Sequence, residues 1–415
     1  MTASPAPVRN WAGNLTYTSP RIHRPTSVDE LSTLVRKTPR IRALGSGHSF
    51  NQVADSEHDL VRLDALPREI EVGEDTVTVS GGTRYADLAG ELNRRGFALG
   101  NLASLPHISV AGSCATGTHG SGDRQRCLAA AVRGIELMGP DGETVRLRRG
   151  DAAFPGSVVA LGGLGIVTRL TLEIEPTFEV SQRVRLDVPL DEVAEGFDTV
   201  FGAAYSVSLF TDWSEPGGRV WLKRRVGDPG GTWSGGRAAS VPQHPVPGMP
   251  TEPATEQLDV PGPWCERLPH FRPELPPSAG AELQSELYLP RAAAPEAFAV
   301  LGQIGHHIAP VLHISEVRTV RADDLWLSPA YGRDSVTFHF TWHRNPGAVT
   351  PVLREVEERL LPLGARPHWG KLTTLRPRKV VGLYERADDF AALSERFDPT
   401  GKFRNPFVDS HFPRG

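Results

Sequence analysis

The chain has 415 residues, of which 42 are glycine and 36 are proline. This surplus of helix-breaking residues excludes a helical bundle or a coiled coil, and no G-x-y period indicates collagen. With 39% hydrophobic and 23% charged residues the chain can form sizeable cores, and its length predicts about two or three domains.

The formal net charge of −4 offers no basic surplus for binding nucleic acid. Three cysteines, Cys114, Cys127 and Cys265, stand at unrelated spacings, which indicates a reducing compartment and no disulfide framework. No zinc-ligand spacing appears, no secretory signal is visible, and the apolar stretch 155–168 is too short to span a membrane. We therefore expect a monomeric cytoplasmic protein without a metal ion and without a nucleic-acid or membrane partner.

The first 178 residues mix short β-like runs with glycine-rich loops. Strands are predicted at 40–44, 76–80, 132–138 and 165–174, the last being rich in β-branched residues. The run 85–96 predicts a helix that ends at its final glycine. Ser27 and Glu30 have the spacing of a capping box at the start of another helix.

Two loops of this part, 44–50 (LGSGHSF) and 109–122 (SVAGSCATGTHGSG), combine glycine with serine, threonine and histidine. Glycine lets the backbone approach a phosphate closely, and successive N–H groups can form an anion-binding nest. A Rossmann motif is rejected because Phe50 stands where the third glycine belongs, and no P-loop sequence occurs. Either loop alone could be a tight surface turn, but the pair favours a large phosphate-bearing cofactor.

His48 lies in the first of these loops. It is either an ordinary polar loop residue or a nucleophilic imidazole held against a cofactor ring. The sequence pattern alone leaves both interpretations open.

The composition changes between residues 227 and 280, which hold 12 of the 36 prolines. We call this segment the proline-rich excursion. It could be a disordered linker, but Trp233, Trp264 and Phe271 favour ordered structure over the surface. Alternating β-like sequence follows, and then a helix near 352–361 with Glu357 on its predicted solvent side.

Three runs, 282–288, 314–320 and 337–343, alternate polar and apolar residues with the period of a β-strand. The polar positions are Glu282, Gln284 and Glu286, then Glu316 and Arg318, and then Thr337, His339, Thr341 and His343. The ordinary interpretation is an antiparallel sheet with one wet side. Side chains that hydrogen-bond with defined geometry would also suit a polyhydroxylated ligand. Lys371, after Trp369 and Gly370, would be a surface residue unless it lines a cavity.

Together these motifs resemble the vanillyl-alcohol-oxidase (VAO) family of FAD flavoproteins. The resemblance rests on the two glycine loops and on three further motifs, 162–168 (GGLGIVT), 368–371 (HWGK) and 398–407 (DPTGKFRNPF), and runs from Asn10 to Phe407. The strand motifs LQSE, EVR and HFTW point to the alditol (xylitol) oxidases within that family.

The resemblance implies an α+β fold with two domains. An FAD-binding domain of the PCMH type would comprise residues 1–178 and be completed by the C-terminal segment 372–415. A substrate-binding (cap) domain, residues 179–371, would contain a large antiparallel sheet flanked by helices.

The same resemblance implies FAD as the cofactor, bound covalently through His48. Ala103 is expected to face the flavin edge, where its small side chain would leave room for O2. Cys114, inside the second loop, is expected to pack as a small buried residue and not to form a second flavin link. The other residues implied around FAD are Ala43, Leu44, Gly45, Ser46, Gly47, Ser49, Ser104, Ser109, Gly112, Thr116, Gly117, Thr118, His119, Val167 and His368.

The substrate pocket implied by the resemblance takes most of its residues from the polar strand faces. Arg318 and Lys371 would stabilise developing negative charge, and His339 would accept a proton, with Glu316 orienting it or Arg318. The identity of the proton acceptor stays open. The full implied set is Ser104, Gln284, Glu316, Arg318, His339, Thr341 and Lys371.

The implied reaction is oxidation of the terminal primary alcohol of alditols such as xylitol and sorbitol to the aldose. Hydride would pass to flavin N5, and O2 would reoxidise the flavin and give H2O2. An aldono-1,4-lactone oxidase or dehydrogenase is the nearest alternative, because those enzymes share the HWGK motif. An alternative of another class is a non-catalytic flavin- or carbohydrate-binding protein.

Overall fold

The structure is a computed structural model that describes residues 7–214, 217–229, 231, 233–275 and 282–414. The strands are β1 (Ile22–His23), β2 (Ile41–Ala43), β3 (Asp59–Val61), β4 (Ile70–Val72), β5 (Thr76–Ser80), β6 (Phe97–Ala98), β7 (Val132–Met138), β8 (Thr144–Arg148), β9 (Ile166–Glu173), β10 (Glu175–Pro176), β11 (Glu179–Pro189), β12 (Ser206–Thr211), β13 (Gly217–Arg225), β14 (Arg237–Ala238), β15 (Gly262–Pro263), β16 (Glu282–Pro290), β17 (Leu312–Val320), β18 (Ser335–His343) and β19 (Arg366–Pro367). The helices are α1 (Val28–Lys37), α2 (Tyr85–Arg94), α3 (Val110–Thr116), α4 (Phe154–Val158), α5 (Leu190–Glu195), α6 (Phe197–Phe201), α7 (Trp264–Arg267), α8 (Ala294–Gln303), α9 (Gly305–Ile308), α10 (Pro346–Leu360), α11 (Pro377–Val381), α12 (Ala387–Phe397) and α13 (Pro406–His411). Within the described ranges, no helix combines the length and the apolar character that crossing a bilayer requires.

Small sheets form the framework of the first unit. An antiparallel sheet has the order β4-β5-β9-β7-β8, and a parallel sheet has the order β1-β3-β2. The strands predicted at 40–44, 76–80, 132–138 and 165–174 are confirmed as β2, β5, β7 and β9.

Local signals in the sequence determine where α1 begins and where α2 ends. The Ser27 side chain accepts a hydrogen bond from the Glu30 N–H at 3.1 Å, as the capping box predicts. The Glu30 carboxylate accepts a hydrogen bond from the Thr26 N–H at 2.8 Å. In a capping box this bond would come from the N–H of the cap residue Ser27, one residue later. Gly96 follows α2 with φ of 83°, the left-handed conformation that favours glycine.

The second unit is built on one large antiparallel sheet, with the order β14-β11-β13-β12-β17-β18-β16-β19 and β15 pairing with β11. One of its faces packs on α8 and α10, and Phe338, Phe340 and Trp342 of β18 are fully buried in that core. The opposite face carries the polar residues of β16, β17 and β18. The predicted α+β fold with two units and a large antiparallel sheet is confirmed.

The C-terminal segment returns to the first unit. Ile41 of β2 donates its N–H to the Lys402 carbonyl at 2.9 Å, and the Asn405 amide donates to the Asp55 carbonyl at 2.7 Å. Phe403 is fully buried beside Leu31 and Ile41. These contacts support the proposal that residues 372–415 complete the first domain, and the boundaries at 178/179 and 371/372 stay predictions.

The described part of the proline-rich excursion packs against the second unit. Its strands β14 and β15 both pair with β11, and Trp264 is fully buried with its Nε1–H donating to the Phe97 carbonyl at 3.2 Å. Packed structure and not a free linker is therefore observed for 233–275. Residues 230, 232 and 276–280 of the excursion lie outside the described residues.

The predicted solvent side of α10 is wrong at one position. The Glu357 side chain is buried, and its carboxylate accepts hydrogen bonds from the Thr373 hydroxyl at 2.5 Å and from the Thr374 N–H at 3.0 Å. The helix also begins earlier than predicted, after an Asn345 cap. The segment that follows Lys371 covers this side of the helix, which the helical period alone cannot show.

Arg42 joins three distant parts of the first unit. Its guanidinium is fully buried and donates to the carbonyls of Val53 at 2.6 Å, of Phe403 at 2.7 Å, and of Leu161. Burial lowers the pKa of Arg42 to about 10, so the group stays charged in the neutral range. The charge is solvated by carbonyl dipoles, which links β2, the 161–162 turn and the C-terminal segment.

We predict that Arg42→Met destabilises the protein by about 3 kcal/mol, because several buried carbonyls lose their donor together. A loss of that size lowers the melting temperature by roughly 6 to 12 °C for a unit of this size. Calorimetry checks this, with Arg146→Met as the control because Arg146 is largely exposed. Equal melting temperatures for the two variants would contradict the role given to Arg42.

Candidate active site

A large cavity lies between the polar face of the large sheet and the loops of the first unit. One wall comes from residues within 42–50, 81–84, 103–119 and 161–167. The opposite wall comes from β16, β17, β18 and residues 368–371, and the proline-rich excursion closes a third side. The two glycine loops and the polar strands predicted as functional therefore face the same space.

Close packing of the two glycine loops explains two of their glycines. A Cβ atom at Gly45 would lie 2.6 Å from Ser109 Oγ, and one at Gly112 would lie 2.7 Å from the same oxygen. The Ser46 hydroxyl accepts the Ser109 N–H at 3.2 Å. Ser109 Oγ itself is buried and has no hydrogen-bond partner among the described residues, so it can serve a polar ligand in the cavity.

The His48 imidazole is largely buried and neutral. Its ring stacks on Trp11, with centroids 4.9 Å apart and an interplanar angle of 17°. Both ring nitrogens are buried and lack a partner within the described part of the chain. Burial, together with His107 and Arg84, lowers the pKa of His48 to about 4. The ring therefore offers a free lone pair at neutral pH.

Most residues predicted around FAD line this cavity, and the unpartnered Ser109 and His48 atoms fit a polar cofactor there. Gly117 does not line it. Its φ of 72° and a Cβ position 3.0 Å from Pro329 account for that glycine locally. The lining residues from the predicted set are Ala43, Leu44, Gly45, Ser46, Gly47, His48, Ser49, Ala103, Ser104, Ser109, Gly112, Thr116, Thr118, His119, Val167 and His368.

Cys114 lies away from the cavity wall, in the core of the first unit. Its side chain is buried with Sγ 3.9 Å from the Tyr85 hydroxyl. Burial raises the pKa of Cys114 to about 12. A buried, protonated thiol agrees with the expected packing role and offers no second point of attachment for a flavin.

Strand register places the polar residues of the large sheet in rows. Glu286 of β16 pairs with His339 of β18, which pairs in turn with Glu316 of β17, so the three lie side by side. Gln284 pairs with Thr341 in the next row. Apart from the half-buried Gln284 and the exposed His343 at the strand end, the polar positions of this face are buried, so the interpretation as a wet side is wrong.

Glu286 was visible in the strand pattern but was not predicted as a site residue. Its carboxylate lies 2.7 Å from Lys371 Nζ, 2.9 Å from His119 Nε2 and 3.1 Å from Arg318 Nη2. Burial opposes ionisation, but Lys371, His119 and Arg318 hold the pKa of Glu286 well below its usual range. It is therefore a fixed negative charge within the predicted substrate pocket.

A second buried carboxylate, Glu316, has a partner from the proline-rich excursion. Glu316 Oε1 lies 2.9 Å from His270 Nε2 and 3.6 Å from Arg318 Nε. The backbone N–H of His270 donates a hydrogen bond to the Ser104 carbonyl at 3.2 Å, which connects the excursion to the first unit. Sequence reasoning missed His270, because the excursion has no periodic pattern that relates it to the sheet.

Lys371 and His339 form a close polar pair in the pocket. Lys371 Nζ lies 2.6 Å from His339 Nδ1, and His339 Nε2 lies 3.1 Å from Thr341 Oγ1. Burial lowers the pKa of His339 to about 4 and also lowers the pKa of Lys371. A neutral imidazole bonded to an amine can exchange protons, while Arg318 can stabilise negative charge on a bound oxygen.

Comparison with known proteins agrees with this arrangement. A family model described as an FAD binding domain matches residues 20–148, and one described as D-arabinono-1,4-lactone oxidase matches residues 282–411. The first covers the glycine loops, and the second begins at β16 and includes β17, β18 and Lys371. The structure also resembles a cholesterol oxidase from B. sterolicum, with a TM-score of 0.81 over 98% of this chain and 96% of the other. At 13% identity, that similarity shows the fold alone.

Two relatives extend over nearly the whole chain. An L-gulono-1,4-lactone dehydrogenase of Mycobacterium tuberculosis is 30% identical, with 96% of this chain and 97% of the relative covered. An alditol oxidase of a Streptomyces species is 52% identical over 409 residues, which cover 97% of this chain and 98% of the relative. The chain therefore belongs to the alditol oxidase family of FAD-binding, VAO-type oxidoreductases.

Proposed function

We propose that this protein is an alditol oxidase that converts the terminal primary alcohol of a polyol such as xylitol or sorbitol to the aldose. The observation that carries the proposal is the buried polar face of the large sheet, which lies across one cavity from the glycine loops and His48. The 52% identity to an alditol oxidase supports the same reaction.

FAD is the cofactor, and we propose that it is attached covalently through a ring nitrogen of His48. The neutral ring, its two unpartnered nitrogens and its fixed stacking on Trp11 support this attachment. When bound, FAD supplies the acceptor for the two electrons of the alcohol and passes them to O2, which gives H2O2. The small side chain of Ala103 in the cavity wall supports its predicted role in O2 access.

The chain's own residues bind the polyol and manage its charge. Arg318 and Lys371 would stabilise negative charge on the reacting oxygen, and His339 would take part in removing the hydroxyl proton. Gln284, Glu316, Thr341 and Ser104 would bind the remaining hydroxyls. Since Glu316, Arg318, His339 and Thr341 are buried, water competes weakly with their interactions and each of these interactions is strengthened.

An aldonolactone oxidase or dehydrogenase is the second candidate. The match of residues 282–411 to a D-arabinono-1,4-lactone oxidase model favours it. The higher identity to an alditol oxidase, 52% against 30% to an L-gulono-1,4-lactone dehydrogenase, favours the polyol. The monomeric state and the cytoplasmic location stay predictions.

The two candidates differ in substrate. We expect purified holoenzyme in air to release H2O2 with xylitol or sorbitol at a rate at least tenfold above that with an aldono-1,4-lactone. A peroxidase-coupled assay measures both. Faster release with the lactone would favour a lactone oxidase. A flavin bleached by the lactone without air, but with no peroxide in air, would favour a lactone dehydrogenase. A flavin that neither compound bleaches would support a non-catalytic binding protein.

Covalent attachment predicts that flavin stays with the polypeptide after unfolding. We expect acid-precipitated protein to remain yellow and the protein band to fluoresce on a denaturing gel. His48→Ala should give a colourless pellet with free FAD in the supernatant. Free FAD from the unmodified protein would contradict the attachment.

Removing the imidazole of His339 tests its part in the reaction. We expect His339→Asn to lower kcat/KM for xylitol by about 100-fold or more, the range for losing acid–base catalysis. The matched control is His343→Asn, because His343 lies on the same strand face but is exposed. Steady-state peroxide release checks both, and equal effects would remove His339 from the proposed machinery.

A further inference from the structure

Glu286 is as deeply buried as His119 and more deeply buried than Arg318 and Lys371, and it is the carboxylate on which these three groups converge. The exposed fraction of its side chain is 1%, against 7% for Arg318 and 14% for Lys371. Its Oε1 faces Arg318 and His119, and its Oε2 faces Lys371 Nζ at 2.7 Å. Because a buried charge is poorly screened, the carboxylate of Glu286 strongly influences the pKa of any neighbour that gains or loses a proton.

Lys371 is the neighbour whose state matters, because it lies between Glu286 and His339. If Lys371 is an ammonium, it donates to Glu286 Oε2 and to His339 Nδ1, at 2.7 and 2.6 Å. His339 Nδ1 is then an acceptor, and the ring carries its proton on Nε2. If Lys371 is an amine, it accepts the Nδ1 proton, and the Nε2 lone pair faces Thr341 Oγ1, 3.1 Å away. The ammonium thus excludes a proton on Nδ1, and only the amine allows the ring to carry its proton there.

We propose that Glu286 is the positioning residue that makes Lys371 the final acceptor of the hydroxyl proton, which enters through His339. The O–H bond of the alcohol breaks as an N–H bond forms at Nε2. The Nδ1–H bond breaks as the proton passes to Lys371 Nζ, where the new ammonium donates to Glu286. One proton moves and Glu286 stays ionised throughout. The inference rests on the proposed alcohol oxidation for its first step only.

The surroundings of the pair favour this direction of transfer. Burial lowers the pKa of Lys371 and so makes its deprotonation easier, while Glu286 acts in the opposite sense and stabilises the ammonium once it forms. His339 has its pKa lowered to about 4, so the ring passes the proton on and does not keep it. The titratable groups around the pair are Arg318 and Glu316 on β17, Tyr288 on β16, His119 in the second glycine loop and His368 beside Lys371, with Lys223 of β13 and His270 of the excursion next to Glu316.

The test follows the tautomer of His339 in holoenzyme without any alcohol. Histidine ring ¹⁵N NMR, assigned with a His339→Gln variant, reports which nitrogen is protonated as the pH rises. We expect the proton to move from Nε2 to Nδ1 at a midpoint set by Lys371, and Lys371→Met to abolish the change. A wild-type ring that keeps one tautomer throughout the titration overturns the proposal.

Removing the charge of Glu286 gives the decisive comparison. Because Glu286 raises the proton affinity of Lys371, Glu286→Gln should move the midpoint to lower pH by at least about one unit, a tenfold change. Glu357→Gln is the matched control, since Glu357 is equally buried but bonds to Thr373 and Thr374 and not to Lys371. It should leave the midpoint in place.

A midpoint that stays or rises in Glu286→Gln overturns the proposal. If that variant does not fold, Glu286→Asp serves instead, because its shorter carboxylate should lower the midpoint by a smaller amount. An unchanged midpoint in Glu286→Asp also overturns the proposal. The NMR readout is independent of turnover, so a protein that switches tautomer but releases no peroxide would contradict the proposed oxidation alone.

Discussion

The mutual neutralisation of buried charges in the polar face of the large sheet is the constraint on which the site depends. Two carboxylates, Glu286 and Glu316, lie beside two basic side chains, Arg318 and Lys371, largely out of contact with bulk water. An isolated charge at this depth would cost several kcal/mol, and a paired one with further hydrogen bonds does not. The four groups therefore hold one another in place, and burial strengthens each interaction with a bound hydroxyl.

The fold supplies this arrangement from two directions. Register between β16, β18 and β17 places Glu286, His339 and Glu316 in one row. The opposite face of the same strands is apolar and packs on α8 and α10, which fixes the sheet. Glu357 of α10 also bonds to Thr373 and Thr374, so the helix on the apolar side is joined to the segment that follows Lys371.

The sequence predicts those parts of the site that a local pattern determines. Period-two alternation identified the polar face of three strands, and glycine with serine and histidine identified the loops around His48. The sequence could not predict whether water reaches that polar face, because the burial of the face depends on how the first unit packs over it. Nor could it find the bond between His270 and Glu316, or the burial of Glu357, since both contacts join segments that are far apart in the chain. Glu286 shows the intermediate case, because its strand position was evident and its three partners were not.

The central claim is that a polyol bound against the polar face gives up two electrons to FAD in the cavity. Anaerobic mixing of the holoenzyme with xylitol, followed at the visible absorbance of the flavin, tests this most directly. The account predicts that the yellow absorbance bleaches on mixing and returns when air is admitted. An unchanged spectrum with xylitol, sorbitol and related polyols would contradict it.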